Sequence, residues 1–181
     1  MEDARIIKTR KYLKEALLSL LATSNLSDIN VARLCNKAEI NRSTFYAHYK
    51  NVLELYEEIV NKYNDTVCNY IYKIYTTRNE NTDHVVDFIK YTEKNSELFM
   101  FIFKNSNSME KNNPSYKRLE NVFKEKYKDI NLNPSYIINY FIYAGGSILY
   151  TWIKNGKKEK IDDVAFIMRK MVLNGPVSFL K

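Results

Sequence analysis

Apolar residues recur at intervals of three and four along the whole chain, and only four Gly and three Pro interrupt them. That period belongs to helices, so the pattern predicts an all-α protein of about nine helices. The first spans about 3–23, with Ile6, Leu13, Ala16, Leu17, Leu20 and Leu21 on one stripe and Lys8, Lys11 and Lys14 outside it. Asn30 is placed to cap a short second helix over 31–37, whose inward residues are Leu34, Cys35 and Ala38. A tight turn, Ala38-Glu39-Ile40, leads to Asn41 as the cap of a third. Asn51, with Glu54 at the capping-box position, opens a long fourth helix reaching about Tyr75. Its inner face reads Val52, Tyr56, Ile59, Tyr63, Val67, Tyr70 and Ile74. Later helices are predicted near 83–94, 96–104, 114–128, 134–155 and 161–174. Asn113-Pro114 and Asn133-Pro134 read as an N-cap followed by proline at the first helical position. Gly156 and Gly175-Pro176 read as stops, and 104–115 as the most loop-like stretch.

The third helix raises a question about its outer face. With Phe45 and Tyr49 inward at 100° per residue, Ser43 and Ala47 point away, and both are small. Arg42 stands at the helix start, while Thr44, Tyr46, His48 and Lys50 flank the small residues. Two short helices joined by a turn and braced by a longer one make a helix-turn-helix, in which the second short helix enters the DNA major groove. On that reading Ser43 and Ala47 lie close enough for base edges, Ala47 against a thymine methyl. Arg42 reaches a guanine or a phosphate, and Thr44, Tyr46, His48 and Lys50 reach phosphates. An ordinary surface helix is the plain alternative for any one position, and less so for the set.

Charge supports the set. The chain of 181 residues carries +7, and residues 1–50 hold nine Lys/Arg against five Asp/Glu. The remaining 131 residues hold nineteen against sixteen, so basic charge is several times denser at the N-terminus. The expected division is a DNA-binding domain over 1–50 and a larger helical regulatory and dimerisation domain over 51–181. Cys35 and Cys68 have no metal-type spacing and read as buried small hydrophobes. No apolar run is long enough to span a membrane and no signal peptide opens the chain, so a cytoplasmic protein is expected.

The segment "INVARLCNKAEINRSTFYAHYKNVLELY" (29–56) resembles the N-terminal DNA-binding domain of TetR/AcrR-type bacterial transcriptional regulators. The resemblance is carried by "VARLCNKA", Ile40, Asn41-Arg42, Thr44-Phe45-Tyr46, His48-Tyr49 and Lys50-Asn51, and covers about residues 5–60. It implies DNA contacts from Arg42, Ser43, Thr44, Tyr46, His48 and Lys50; with Ala47 from the helical wheel and Asn41 at the helix start, these form the expected DNA-binding set. Two positions depart from the family: Glu39 and Ser43 stand where it has Gly. Glu39 implies strain or an altered turn, because glycine there suits a left-handed backbone.

Of 25 aromatic residues, 21 lie beyond residue 51. Most are expected in the core. Tyr91, Phe99, Phe103, Tyr140 and Tyr143 are candidates for a ligand pocket between helices. His84 is expected on the surface. The helix over 134–155 is apolar almost all round and holds Gly145-Gly146, a pair that costs helix stability unless something must approach closely. The last helix carries Val164, Ile167, Met168, Met171 and Val172 on one stripe. In the family the resemblance names, the last two long helices pair with their copies. That places Gly145, Gly146, Leu149, Trp152, Val164, Ile167, Met168 and Met171 at a dimer interface. "YAGGSILYTWIKNGKKE" is also similar to the Gram-positive branch that includes dihydroxyacetone-kinase regulators.

These readings imply a homodimeric, ligand-responsive repressor that binds double-stranded DNA at a pseudo-palindromic operator. A small hydrophobic or aromatic inducer is the expected ligand, with no cofactor, metal or membrane involved. The alternative is a co-activator or architectural protein whose C-terminal domain docks a protein partner. With two His and no phosphate loop or catalytic constellation, no enzyme is expected.

Overall fold

The computed structural model describes residues 4–76, 83–105, 113–129, 131 and 133–173. All regular structure among them is helical: α1 (Ala4–Leu21), α2 (Val31–Ala38), α3 (Arg42–Tyr46), α4 (Val52–Thr76), α5 (His84–Lys94), α6 (Ser96–Asn105), α7 (Pro114–Lys126), α8 (Pro134–Lys154) and α9 (Ile161–Met168). A 3-10 turn, Leu26–Asp28, precedes α2, and a π-helical segment, Arg169–Leu173, follows α9. The all-α expectation holds. No helix among the described residues is long and apolar enough to cross a membrane.

The ends of the helices follow from local chemistry. The Asn30 side chain accepts the Arg33 N–H at 2.9 Å, and that of Asn113 accepts from Ser115 and Tyr116. Asn133 does the same for Ser135, and prolines 114 and 134 occupy first-turn positions where no N–H is needed. Gly156 stops α8 with φ of +85°. Asn41 stands at the start of α3 but makes no side-chain cap bond. The Gly175-Pro176 stop and residues 106–112 of the expected loop lie outside the described residues.

The chain divides into two compact units, 1–63 and 64–181. The division falls within α4 rather than ahead of it, because Val52, Leu55, Ile59 and Tyr63 at its start are buried with the first unit. In that unit α1 packs on α2 and α2 on α3. Leu13, Leu17, Leu34 and Phe45 are fully enclosed. In the second unit α8 is the shared partner of α5, α6, α7 and α9, and α5 also packs on α9. That explains why α8 is apolar on so many sides.

Two details of the sequence pattern shift. On α4 the innermost residues include Leu55, Cys68 and Ile71, while Tyr56, Tyr70 and Ile74 are half-buried. An ideal helix drifts about 20° per heptad, so a stripe read at mixed three- and four-residue steps wanders over seven turns. His84 is half-buried rather than on the surface. Both cysteines are buried, as expected, and burial pushes the Cys68 thiol up to about 12.

Candidate DNA-binding face and regulatory cavity

The first candidate site is built by a turn and two caps. Glu39 has φ 56° and ψ 40°, the left-handed conformation. Its N–H reaches Asn36 O at 3.4 Å, and the Ile40 N–H reaches Cys35 O at 3.0 Å. These two bonds form a Schellman motif, which closes α2 and turns the chain toward α3. A left-handed non-glycine residue costs roughly 1–2 kcal/mol, against about 0.5–1 kcal/mol for the extra freedom glycine has when unfolded. Glu39→Gly is therefore expected to stabilise the protein by about 0.5–1 kcal/mol, read as a rise in urea midpoint at constant slope.

At the other end, Asn51 Oδ1 accepts the Glu54 N–H at 2.9 Å while Glu54 Oε2 accepts the Lys50 N–H. The carboxylate thus satisfies the N–H one residue ahead of the cap, a variant of the reciprocal capping box. Phe45 O accepts both the His48 and Tyr49 N–H groups at 2.9 Å, so the chain leaves α3 in a tight turn. Phe45 is 0% and Tyr49 3% exposed, their rings 5.8 Å apart. Burial, then the Glu58 carboxylate, raises the Tyr49 phenol to about 12, so the residue is a neutral anchor.

With that edge held, the opposite residues face solvent. Asn41, Arg42, Ser43, Tyr46, Ala47 and Lys50 are exposed, and Thr44 and His48 are half-buried. Tyr46 is 53% exposed while its ring meets Phe45 edge-on at 5.5 Å, which fixes the direction of its hydroxyl. The short helix therefore presents small residues between basic and hydroxyl-bearing ones.

The second candidate site lies in the other unit. A cavity of about 50 Å³ is lined by Val67, Ile71, Ile74 and Tyr75 of α4, Val85 and Phe88 of α5, Phe141, Ile142 and Gly145 of α8, and Met168 of α9. None of the five aromatic residues expected at a pocket lines it. Tyr91 meets Tyr70 at a tilt, ring centres 5.7 Å apart; Phe99 and Phe103 pack together at 5.6 Å; Tyr140 and Tyr143 are exposed. The sequence carried one clue to the cavity, Gly145, which signals a close approach without saying by what. Here it is Met168, whose Cε lies 3.4 Å from where a Cβ would stand.

Ion pairs tie α5 to the segments around α9. Asp83 caps α5 through Oδ1 and takes Arg169 on Oδ2. At the far end of α5, Glu93 pairs with Lys157 at 3.3 Å.

The residues expected at a dimer surface divide. Gly145, Gly146, Leu149, Trp152, Val164 and Met168 are buried within the unit, Ile167 is half-buried and Met171 exposed. Trp152, Val164 and Ile167 line an open groove of about 280 Å³ between α8 and α9, together with Ser147 and Thr151. Beside it runs an outward stripe of α8 at steps of four and three, Tyr136, Tyr140 and Tyr143, 70%, 45% and 40% exposed. The Tyr140 hydroxyl donates to Met171 O at 3.1 Å, which joins this stripe to the π-helical segment after α9.

Among the described residues no group of three or more His, Cys, Asp or Glu is placed to hold a metal.

Comparison with known proteins agrees with this architecture. Residues 79–174 match the TetR_C_8 family, a transcriptional regulator C-terminal region. A stretch of 61 residues is 34% identical to the uncharacterized HTH-type transcriptional regulator YxbF of Bacillus subtilis (strain 168), covering 33% of this chain and 16% of that protein. The chain is similar in fold to the fatty acid degradation regulator FadR from Bacillus halodurans (TM-score 0.60, 13% identity, 93% of this chain and 96% of that one). It is also similar to a TetR transcriptional regulator from Streptococcus agalactiae 2603V (0.54, 20%, 94% and 97%) and to the dihydroxyacetone kinase operon activator DhaS (0.50, 20%, 92% and 94%). A helical C-terminal region that matches over more than half the chain, behind a helix-turn-helix face, places it: the chain belongs to the TetR family of transcriptional regulators.

Proposed function

We propose that this regulator is a homodimeric, ligand-responsive repressor that binds a pseudo-palindromic operator through α3 of each copy. The supporting observation is the division of α3 and the turn after it, residues 42–50, into a buried edge, Phe45 and Tyr49, and an outward face of Arg42, Ser43, Tyr46, Ala47 and Lys50. Ser43 and Ala47 approach base edges, and Arg42 reads a guanine or grips a phosphate. Tyr46, Lys50 and the half-buried Thr44 and His48 fasten the backbone, with Asn41 at the helix start. The protein acts by binding, without catalysis, in the cytoplasm beside its DNA.

Dimerisation uses the outward side of α8 and α9: Ile167 and Met171 from the expected set, with Tyr140, Tyr143 and Phe166 beside them, over a layer shaped by Gly145, Gly146, Leu149, Trp152, Val164 and Met168. Of the expected aromatic residues, Phe99 and Phe103 back α8 from the α6 side, and Tyr91 packs on α4 through Tyr70. A ligand acts by binding one spacing of the two α3 helices more tightly than the other. The exposed tyrosine stripe equally suits a second reading, in which this surface docks a protein partner and the chain serves as a co-activator or architectural protein. A dimer at micromolar concentration in sedimentation equilibrium favours the first reading, and a monomer favours the second.

The DNA face is tested by selecting bound sequences from random duplexes, then titrating salt. Lys50→Ala is expected to weaken all sequences alike and flatten the slope of log K against log salt by about one. Arg42→Ala is expected to change the selected motif. An unchanged slope for the first and an unchanged motif for the second would remove those roles.

A further inference from the structure

We infer that the cavity of the second unit selects an electrically neutral, apolar ligand and admits it by moving Met168. The inference rests on the ligand-responsive reading above and adds the chemistry of the ligand. Among the described residues the wall has ten, of which nine carry no nitrogen or oxygen in the side chain, and Tyr75 is the tenth. None of these described wall residues is charged. The Tyr75 phenol is held well above its ordinary ionisation range, by burial first and then by Tyr127 and Tyr140, so it remains a neutral hydroxyl. Of the charges around the cavity, Asp83 at the start of α5 and Arg169 after α9 pair with each other, and Lys126 lies against the Tyr75 ring, 4.9 Å from its centroid. A carboxylate or ammonium placed in this cavity leaves water and meets no counter-charge among the described wall residues. A hydrocarbon loses nothing comparable, and an apolar cavity of this kind stays dry until such a guest arrives.

Size identifies the moving part. The free volume of about 50 Å³ is well below the ~150 Å³ that accommodates benzene in an engineered apolar cavity. Met168 occupies the space in front of Gly145, touching the face where a side chain is missing. It is unbranched and the most adaptable residue of the wall. It also immediately precedes the π-helical segment Arg169–Leu173, where the hydrogen-bond register of α9 changes. Displacing its side chain joins its volume to the cavity without moving a helix.

The test uses three probes of one chain length, 1-octanol, octanoate and octylammonium, against the full-length protein at neutral pH by calorimetry. Binding of octanol at least tenfold tighter than either ion is expected. The methyl resonance of Met168, assigned in methyl-labelled protein through Met168→Leu, is expected to shift on adding octanol. Gly145→Leu, which fills the cavity, is expected to lose octanol binding at least tenfold. The unsubstituted chain carries the decisive comparison should that variant fold poorly. Equal or tighter binding of either ion, no binding of octanol at millimolar concentration, or a stationary Met168 methyl with octanol bound would overturn the inference. DNA release is measured separately. Octanol bound with DNA retained supports this cavity chemistry and overturns the ligand-responsive reading. DNA release by octanoate bound as tightly as octanol does the opposite.

Discussion

Phe45→Ala is expected to destabilise the first unit by about 3–5 kcal/mol and to abolish specific DNA binding. The side chain is fully enclosed, and truncating a buried Phe to Ala costs that much through lost transfer energy and the cavity left behind. The unit holds 63 residues, a size at which a single core is marginal, so the loss is a large fraction of its stability. Phe45 also anchors the edge that orients Arg42, Ser43 and Lys50, and its carbonyl receives the two N–H groups that end α3. Hydrogen exchange resolved by residue checks the prediction. Amides of α1 to α3 should lose protection, while α7 and α8 keep theirs. Equal loss in both units would mean that the two unfold as one and that Phe45 has no local role. Tyr46→Ala, one residue on, leaves the core intact and should cost little stability while weakening DNA binding.

The second large effect is expected at Gly146. A Cβ built there lies 2.5 Å from Cε2 of Phe103, closer than any real contact. Phe103 cannot swing away freely, because its ring sits between Phe99 at 5.6 Å and Tyr150 at 5.3 Å. Gly146→Val should therefore cost about 3 kcal/mol by overpacking, which exceeds the few tenths gained in helix propensity. Gly145→Ala is the matched control. Its Cβ meets only Met168 Cε, at 3.4 Å, an ordinary contact. The propensity gain of up to about 1 kcal/mol then wins, and the variant should be neutral or slightly more stable. Thermal unfolding of the two side by side decides the matter. If both destabilise alike, the α6 approach to α8 is not the reason for the glycine pair.

The glycine pair also marks where reading the sequence alone stops. Period, caps and breakers gave the helices nearly as they stand. Asn30, Asn113 and Asn133 cap through their own side chains, and such bonds depend on neighbours two or three residues away. The outward face of residues 42–50 was legible for the same reason: Phe45 and Tyr49 lie four residues apart, and although α3 ends at Tyr46 the Tyr49 N–H still bonds Phe45 O, so the step is kept. At Glu39 the sequence left strain or an altered turn open, and the structure has the strained, left-handed conformation.

The second unit was less legible because its decisive contacts join residues far apart in sequence. Aromatic residues were expected around a ligand, yet Phe99 and Phe103 pack with each other, and the cavity is walled mainly by aliphatic residues from four helices. A stripe of Val, Ile and Met has the same pattern whether it faces a core, a cavity or another copy. Thus the sequence by itself determined the helical class, the helix ends and the outward face of α3, all set by local spacing. Only the tertiary structure decided that Gly145 faces Met168, that Gly146 faces Phe103, and that an uncharged cavity lies among α4, α5, α8 and α9. Which side chain fills a gap depends on the packing of elements that local sequence does not encode.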